Sequence, residues 1–305
     1  MVQAVAAVGE CMIELSGQSG DSWRMGYAGD SFNTLWAMRA LVPGHHVDYV
    51  SAFGDDPFSE AQIAFFRAHG IGIADSPRIA GARPGLYAIT LTGAERSFTY
   101  WRSEAAARQL ADDAGRLARS LADRVLIYFS GITLAILPTR GRMALMAALG
   151  AAREAGTHIA FDPNYRPRLW ADAIAARDAI AEALAVTDIA LPTFPDEQAL
   201  YGDASPEATV RRLERAGVAE IVVKNGEADA LVSHYQLGQR VPATRVEAVD
   251  TTGAGDAFNG AYLAARLTGL VPAEAAARAH RVAGAVVGVR GALAPFATIQ
   301  QAFDG

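Results

Sequence analysis

Apolar and polar positions alternate between two periods along this chain, and the period in force changes with position. Residues 2–8 are a short Ala/Val run closed by Gly9, the pattern of a buried first strand. Residues 11–27 are glycine-rich with weak alternation and predict short exposed strands. From Asp30 the helical period takes over, with Phe32, Leu35, Trp36, Met38 and Leu41 recurring until Pro43 and Gly44 stop it. A strand at 47–53, the turn GDDP and a helix from Phe58 to His69 follow. Over 84–102 the period returns to two. Leu86, Ala88 and Thr90 alternate with Tyr87, Ile89 and Leu91, and the pattern resumes after Gly93-Ala94, which predicts a β-hairpin.

Beyond residue 105 apolar strands alternate with Ala-, Arg- and Leu-rich helices. The strands are expected at 125–130, 158–162, 188–191 and 220–224. Such alternation argues for an α/β fold, a doubly wound and mostly parallel sheet with helices on both faces. Its ligand site is expected beyond the carboxyl ends of the strands, where Gly131, Asp162, Asn164, Thr193 and Lys224 fall. No linker or repeat interrupts the chain. It reads as one domain over 1–305, with a small β-sheet lid from about 11–28 and 84–102.

The stretch AVDTTGAGDAFNGAYLAARL (248–267) carries the clearest chemistry. Gly253 and Gly255 flank Ala254 and let the backbone approach a bound group without Cβ interference. The helix that follows offers unpaired N–H groups and a partial positive charge to an anion such as a phosphate in transfer. Asp256 sits beside those donors, placed to take a proton from an attacking hydroxyl. Two better-known glycine loops are excluded by the letters. Phe258 stands where a dinucleotide fingerprint needs its third glycine, and a Walker A loop needs Lys before Ser or Thr, whereas Asn225 follows Lys224.

Composition narrows the partners. The chain is 51% hydrophobic and 20% charged with a net charge of −6, which gives no sign of a nucleic-acid or membrane partner. The lone cysteine, Cys11, forms no internal disulfide, and the first residues lack a signal-peptide pattern, so a cytoplasmic location is expected. The six histidines show no metal-ligand spacing. Of 27 basic residues, all but Lys224 are arginine.

Two further clusters stand out. FDPNYRPRLW (161–170) gathers Asp162, Asn164, Arg166 and Arg168 just past a predicted strand, where a fixed guanidinium suits a carboxylate or phosphate. A solvated surface turn is the competing reading. In the hairpin, Tyr87, Tyr100 and Trp101 combine ring faces with the cation of Arg102, which suits a sugar-like ligand bearing an acid group, against simple β packing. Lys224-Asn225-Gly226 ends a strand, either near a nucleotide phosphate or as a surface turn.

DTTGAGDAFNG resembles the C-terminal motif of the ribokinase-like (PfkB) carbohydrate kinases, and AGDSFNTLWAMRAL resembles their N-terminal motif, with Ala28 replacing the first glycine of its pair. VSAFGDDPFSE and GITLAIL match the family's general pattern. GECMIELS, RPGLYAI, FTYWRSEAAA and FDPNYRPRLW are similar to segments of its sugar-acid kinases. The resemblance implies a ribokinase-like fold with a β lid, ATP as donor, Mg²⁺, and phosphorylation of the C6 hydroxyl of a six-carbon keto-deoxy sugar acid.

Carried over by position, Asp256 is the base, and the amides of Gly253, Ala254 and Gly255 form an anion hole, with Gly253 and Gly255 also facing ATP. Gly29, Asp30 and Asn33 hold sugar hydroxyls, and Tyr87, Tyr100, Arg102 and Arg166 line the sugar-acid end. Asn164, Thr193, Lys224 and Gly226 lie along the ATP path. The family's Asn-x-x-Glu segment appears as Thr193-Phe194-Pro195-Asp196-Glu197, which leaves the metal ligands unassigned, and Asp229 replaces a common loop glycine. Other acceptors within the same fold are fructose, ribose or the galactose-derived keto acid. A non-catalytic sugar-acid sensor is disfavoured by the intact Asp256 loop, and a nicotinamide oxidoreductase by the missing glycine. An exposed lid edge also suggests a homo-oligomer.

Overall fold

The computed structural model describes residues 3–17, 22–92, 95–243 and 246–305. Residue 2 of the first expected strand, 18–21 of the expected lid and the Gly93-Ala94 turn lie outside the described residues. The N-terminal third runs β1 (Ala4–Val8), β2 (Met12–Gly17), β3 (Trp23–Ala28), α1 (Asp30–Leu41), β4 (His46–Val50), β5 (Phe53–Gly54), α2 (Pro57–Ala68), β6 (Arg78–Ile79), β7 (Leu86–Thr92) and β8 (Glu95–Trp101). The middle continues with α3 (Ala114–Leu121), β9 (Leu126–Ser130), α4 (Gly131–Ile136), α5 (Thr139–Glu154), β10 (His158–Asp162), α6 (Ala173–Leu184), β11 (Ile189–Ala190) and α7 (Phe194–Tyr201). The chain closes with α8 (Pro206–Arg215), β12 (Glu220–Asn225), β13 (Ala228–His234), β14 (Leu237–Val241), α9 (Ala254–Leu267), α10 (Pro272–Val287) and α11 (Phe296–Asp304).

The main sheet has the order β14-β13-β12-β11-β10-β9-β1-β4. Its strands from β12 to β4 pair in parallel, while β13 and β14 add antiparallel on one side. Because side chains alternate along a strand, Val5 and Ala7 enter one core and Ala6 and Val8 the other. The first core is covered by α1, α2, α9, α10 and α11, the second by α3 to α8. This is the doubly wound arrangement expected. The chain leaves β1 for β4 on one side and returns to β9 on the other, so the crevice above β1 and β9 is the switch point where ligands bind in such sheets.

A separate four-stranded sheet has the order β3-β2-β7-β8, so the two exposed segments expected to form it do pair. Two details differ from the reading of the pattern. The run at 47–53 divides, because Phe53-Gly54 leaves the main sheet to pair with Arg78-Ile79. The antiparallel pair β13–β14 was not foreseen, since β14 is exposed along most of its length and shows no apolar run. Among the described residues no helix is long and apolar enough to cross a membrane.

Helices α1 and α9 pack side by side with both N-termini at this crevice. They approach closely at Gly260, where a Cβ would stand 2.2 Å from the Thr34 carbonyl oxygen and 2.7 Å from the Ala37 Cβ. Gly260→Ala should therefore lower unfolding stability by about 1–3 kcal/mol through overpacking. In α5, where a Cβ at Gly150 would meet only Val186 at 3.8 Å, Gly150→Ala should be neutral or stabilising by up to about 1 kcal/mol. Urea midpoints of the two variants check the contrast.

Candidate active site at two helix mouths

The loop before α9 owes its shape to two local constraints. Asp250 accepts hydrogen bonds from the backbone of Thr252 (3.0 Å) and of Gly291 (2.9 Å), which tie the loop to the segment after α10. Gly253 then takes a left-handed φ of 77°, and a Cβ there would meet Ala292 at 2.9 Å; only glycine suits both conditions. No side chain caps α9, so its mouth keeps donors for an incoming anion. Of the three amides expected to form an anion hole, that of Ala254 makes a long 3.4 Å contact with the Thr251 carbonyl.

Asp256 stands in the first turn of α9, and its Oδ2 accepts the Asn33 Nδ2 donor at 2.8 Å. Asn33 is oriented in turn by the Gly29 amide, which donates to its Oδ1 at 3.3 Å. Gly29 is required by space: a Cβ would lie 2.1 Å from the Glu10 carbonyl oxygen. Burial pushes the Asp256 carboxyl up to about 7; Asp30 and Asp162 add to the rise, while the Asn33 bond and Lys224 oppose it. Beside it, Asp30 accepts from the Asn164 Nδ2 at 2.7 Å. Asn164 holds a left-handed φ of 37°, and its backbone donates to Asp162 Oδ1 at 3.0 Å. Gly131 makes room for this exit from β10, since its Cβ would fall 1.9 Å from the Pro163 carbonyl oxygen.

The residues expected at the sugar-acid end each have protein partners of their own. Tyr87 and Tyr100 pair across β7 and β8 with ring centroids 5.7 Å apart. Tyr87 is buried with its hydroxyl donated to Glu14, and burial beside that carboxylate drives its pKa well up, whereas Tyr100 is 50% exposed. Tyr87, Met12 and Ala28 pack with Ala292, which brings the small sheet against the segment that abuts Gly253. Arg102 donates to the buried Glu10, yet its Nε and the Glu10 Oε1 remain buried without partners. Burial raises the Glu10 carboxyl, and Arg102 opposes the rise. Arg166 donates to Asp196 Oδ2 at 3.0 Å and keeps half its side chain open. Both arginines are therefore already balanced by protein carboxylates. Glu10 and Glu14 both fall within GECMIELS, the first just before β2 and the second on it, and the recurrence of acids in that segment is their one sequence signal.

The residues expected along the nucleotide path lie farther along the sheet. Thr193 bridges in register with Lys224, and Gly226 turns between β12 and β13 with φ 58°. Lys224 is 6% exposed, and its ammonium is directed to Asp162 and Asn259, each at 2.7 Å. Glu197 is buried against Arg212, which also reaches Asp203 and lies over the Tyr201 ring. Burial pushes Glu197 up to about 7, with Arg212 opposing. Among the described residues no group of three or more His, Cys, Asp or Glu is arranged to hold a metal ion.

Known proteins resemble this chain in sequence and fold. The chain is 41% identical over 300 residues to a 2-dehydro-3-deoxygluconokinase of Dickeya dadantii, covering 95% of this chain and 96% of that protein. It is 40% identical to the 2-dehydro-3-deoxygluconokinase of Escherichia coli K12, covering 97% and 98%. A solved structure described as a putative ribokinase II from E. coli in complex with ATP and Mg²⁺ superposes with a TM-score of 0.86 at 26% identity over 99% of both chains, so the fold is ribokinase-like. The pattern of the pfkB family of carbohydrate kinases matches residues 2–299. With that match over nearly the whole chain and relatives at 40–41% identity, this chain belongs to the pfkB family of carbohydrate kinases.

Proposed function

We propose that this kinase transfers the γ-phosphate of ATP to the C6 hydroxyl of 2-keto-3-deoxy-D-gluconate. The observation that carries the reading is Asp256, a carboxylate at an uncapped helix mouth, held by Asn33 and pushed up to about 7. A base with that affinity for protons is matched to work near neutrality. The acceptor and donor come from the relatives named 2-dehydro-3-deoxygluconokinase and from the ATP complex of the structural neighbour. The whole chain acts as one kinase domain, with 11–28 and 84–102 as the lid over the sugar.

In this mechanism the sugar acid lies under the small sheet with its hydroxyls toward Gly29, Asp30 and Asn33. Its carboxylate faces Arg102 and the open edge of Arg166, while Tyr87 and Tyr100 give ring surface. A neutral sugar has less use for these cations. Asp256 accepts the proton as the primary hydroxyl attacks, and the amides at the mouth of α9 meet the charge growing on the transferred group. The transition state is loose, so the protein contributes mainly positioning and charge stabilisation. Asn164, Thr193 and Gly226 border the nucleotide. Mg²⁺ fits as an ion carried chiefly by the phosphates of ATP, which needs one or two carboxylates rather than a protein cage. Asp196 and Glu197 lie in the first turn of α7, but Arg166 and Arg212 engage them, so neither is assigned to the ion.

The outer face of the lid supports a homo-oligomer. Trp23, Met25 and Trp101 are 47%, 45% and 58% exposed on one side of that sheet, a patch of the kind that marks an interface. Light scattering should show more than one chain per particle, and Trp23→Glu with Trp101→Glu should leave a monomer.

Asp256→Asn should lower kcat by about two to four decades with ATP binding retained; wild-type turnover in that variant would remove Asp256 from the chemistry. In the wild type, kcat should fall as pH drops through about 7, because the base must be ionised and its carboxyl is raised to that value. Arg166→Ala should weaken sugar-acid binding about tenfold to a hundredfold, the worth of a charge-assisted contact. An equal loss for neutral hexoses, measured in an ADP-release screen over keto-deoxy sugar acids and hexoses, would refute the carboxylate role.

A further inference from the structure

The only lysine among 27 basic residues is withdrawn from the surface. Its Nζ donates at 2.7 Å to Asp162 Oδ2 and at 2.7 Å to Asn259 Oδ1. The Asn259 amide donates to the same Asp162 oxygen at 2.7 Å and to the Tyr128 hydroxyl at 3.2 Å. Strands β9, β10 and β12 are thereby joined to α9 at one buried point. Asn259 lies three residues after Asp256, on the same side of the helix and one turn deeper. From the other oxygen of Asp162 the connection continues through the Asn164 backbone, and the Asn164 side chain reaches Asp30.

Three carboxylates thus share this region with one ammonium. The charged and titratable groups around Asp256 are Asp30 from α1, Asp162 from β10, Lys224 from β12 and the buried Tyr128 phenol from β9, with the neutral amide of Asn33 in contact. We infer that Lys224 is a positioning and charge-balancing residue for Asp256. Its ammonium offsets Asp162 and, through Asn259, seats the first turn of α9 so that Asp256 is available as a base. An ammonium fits this role because its rotatable donors serve two acceptors from one point in a closed site, whereas a planar guanidinium needs a wider fork of acceptors. The opposing effects of Asp162 and Lys224 on Asp256 have the signs this role requires. The inference rests on Asp256 acting as the base.

The test is the pH dependence of kcat in Lys224→Met, Asp162→Asn and the double variant, with folding checked by circular dichroism. Removing the ammonium should move the acid limb up by about one pH unit, so that turnover at about pH 6 falls roughly tenfold more than at about pH 8.5. Removing the carboxylate should move the limb down, and the double variant should restore it. The titration of ATP itself is common to every enzyme and cancels. A purely structural lysine would lower kcat at all pH values without moving the limb; an unmoved limb, or two shifts in the same direction, overturns the inference. If Lys224→Met does not fold, Asp162→Asn and the double variant decide it by the same rule. Asp256→Asn separates the two proposals. If it keeps the wild-type limb, the base assignment fails, whereas lost turnover together with an unmoved limb in the Asp162 and Lys224 variants defeats only the role of Lys224.

Discussion

Helices α1 and α9 can lie close enough to share one site because Gly260 has no side chain to hold them apart. That contact places Asn33 and Asp256 within a hydrogen bond of each other although 223 residues separate them in the chain. The other features of the crevice build outward from this apposition. Gly29 presses on the Glu10 backbone and turns the Asn33 amide, Gly253 opens the mouth of α9, and Asn164 brings β10 to Asp30. Packing of small residues, with little polar chemistry of its own, sets the positions of the polar groups.

Charge is then distributed so that few groups remain uncompensated. Asp162 has Lys224, Glu10 has Arg102, Asp196 has Arg166, and Glu197 has Arg212. Asp256 differs, because its closest partner is a neutral amide and its charged neighbours are mostly acids. Burial with like charges nearby disfavours ionisation, which is how an ordinary aspartate comes to hold its proton near neutrality. Buried ion pairs seldom add much net stability, but breaking one side leaves a costly charge. The pairs around the crevice are therefore best understood as fixing its geometry and field.

The local features of this site were legible. A strand ending in glycine, an amphipathic period from Asp30, and the Gly-Ala-Gly loop before Asp256 each lie within a few residues, and backbone geometry follows from such short stretches. The doubly wound sheet was legible for the same reason, since buried parallel strands show as apolar runs. The exposed strand β14 lacked that signal, and Phe53-Gly54 looked like a continuation of β4 until a partner in β6 drew it away. Arg102 and Arg166 were recognisable as candidate cations, but their carboxylate partners were not, because Glu10 lies 92 residues and Asp196 lies 30 residues from them.

The letters alone marked the candidate side chains and the turns that expose them, because side-chain period and glycine conformation are properties of short segments. Only the tertiary structure decided the raised pKa of Asp256, the neutralisation of the two arginines and the burial of Lys224 between Asp162 and Asn259. Those depend on what stands a few ångströms away through space, and a through-space neighbour is set by how helices and strands pack.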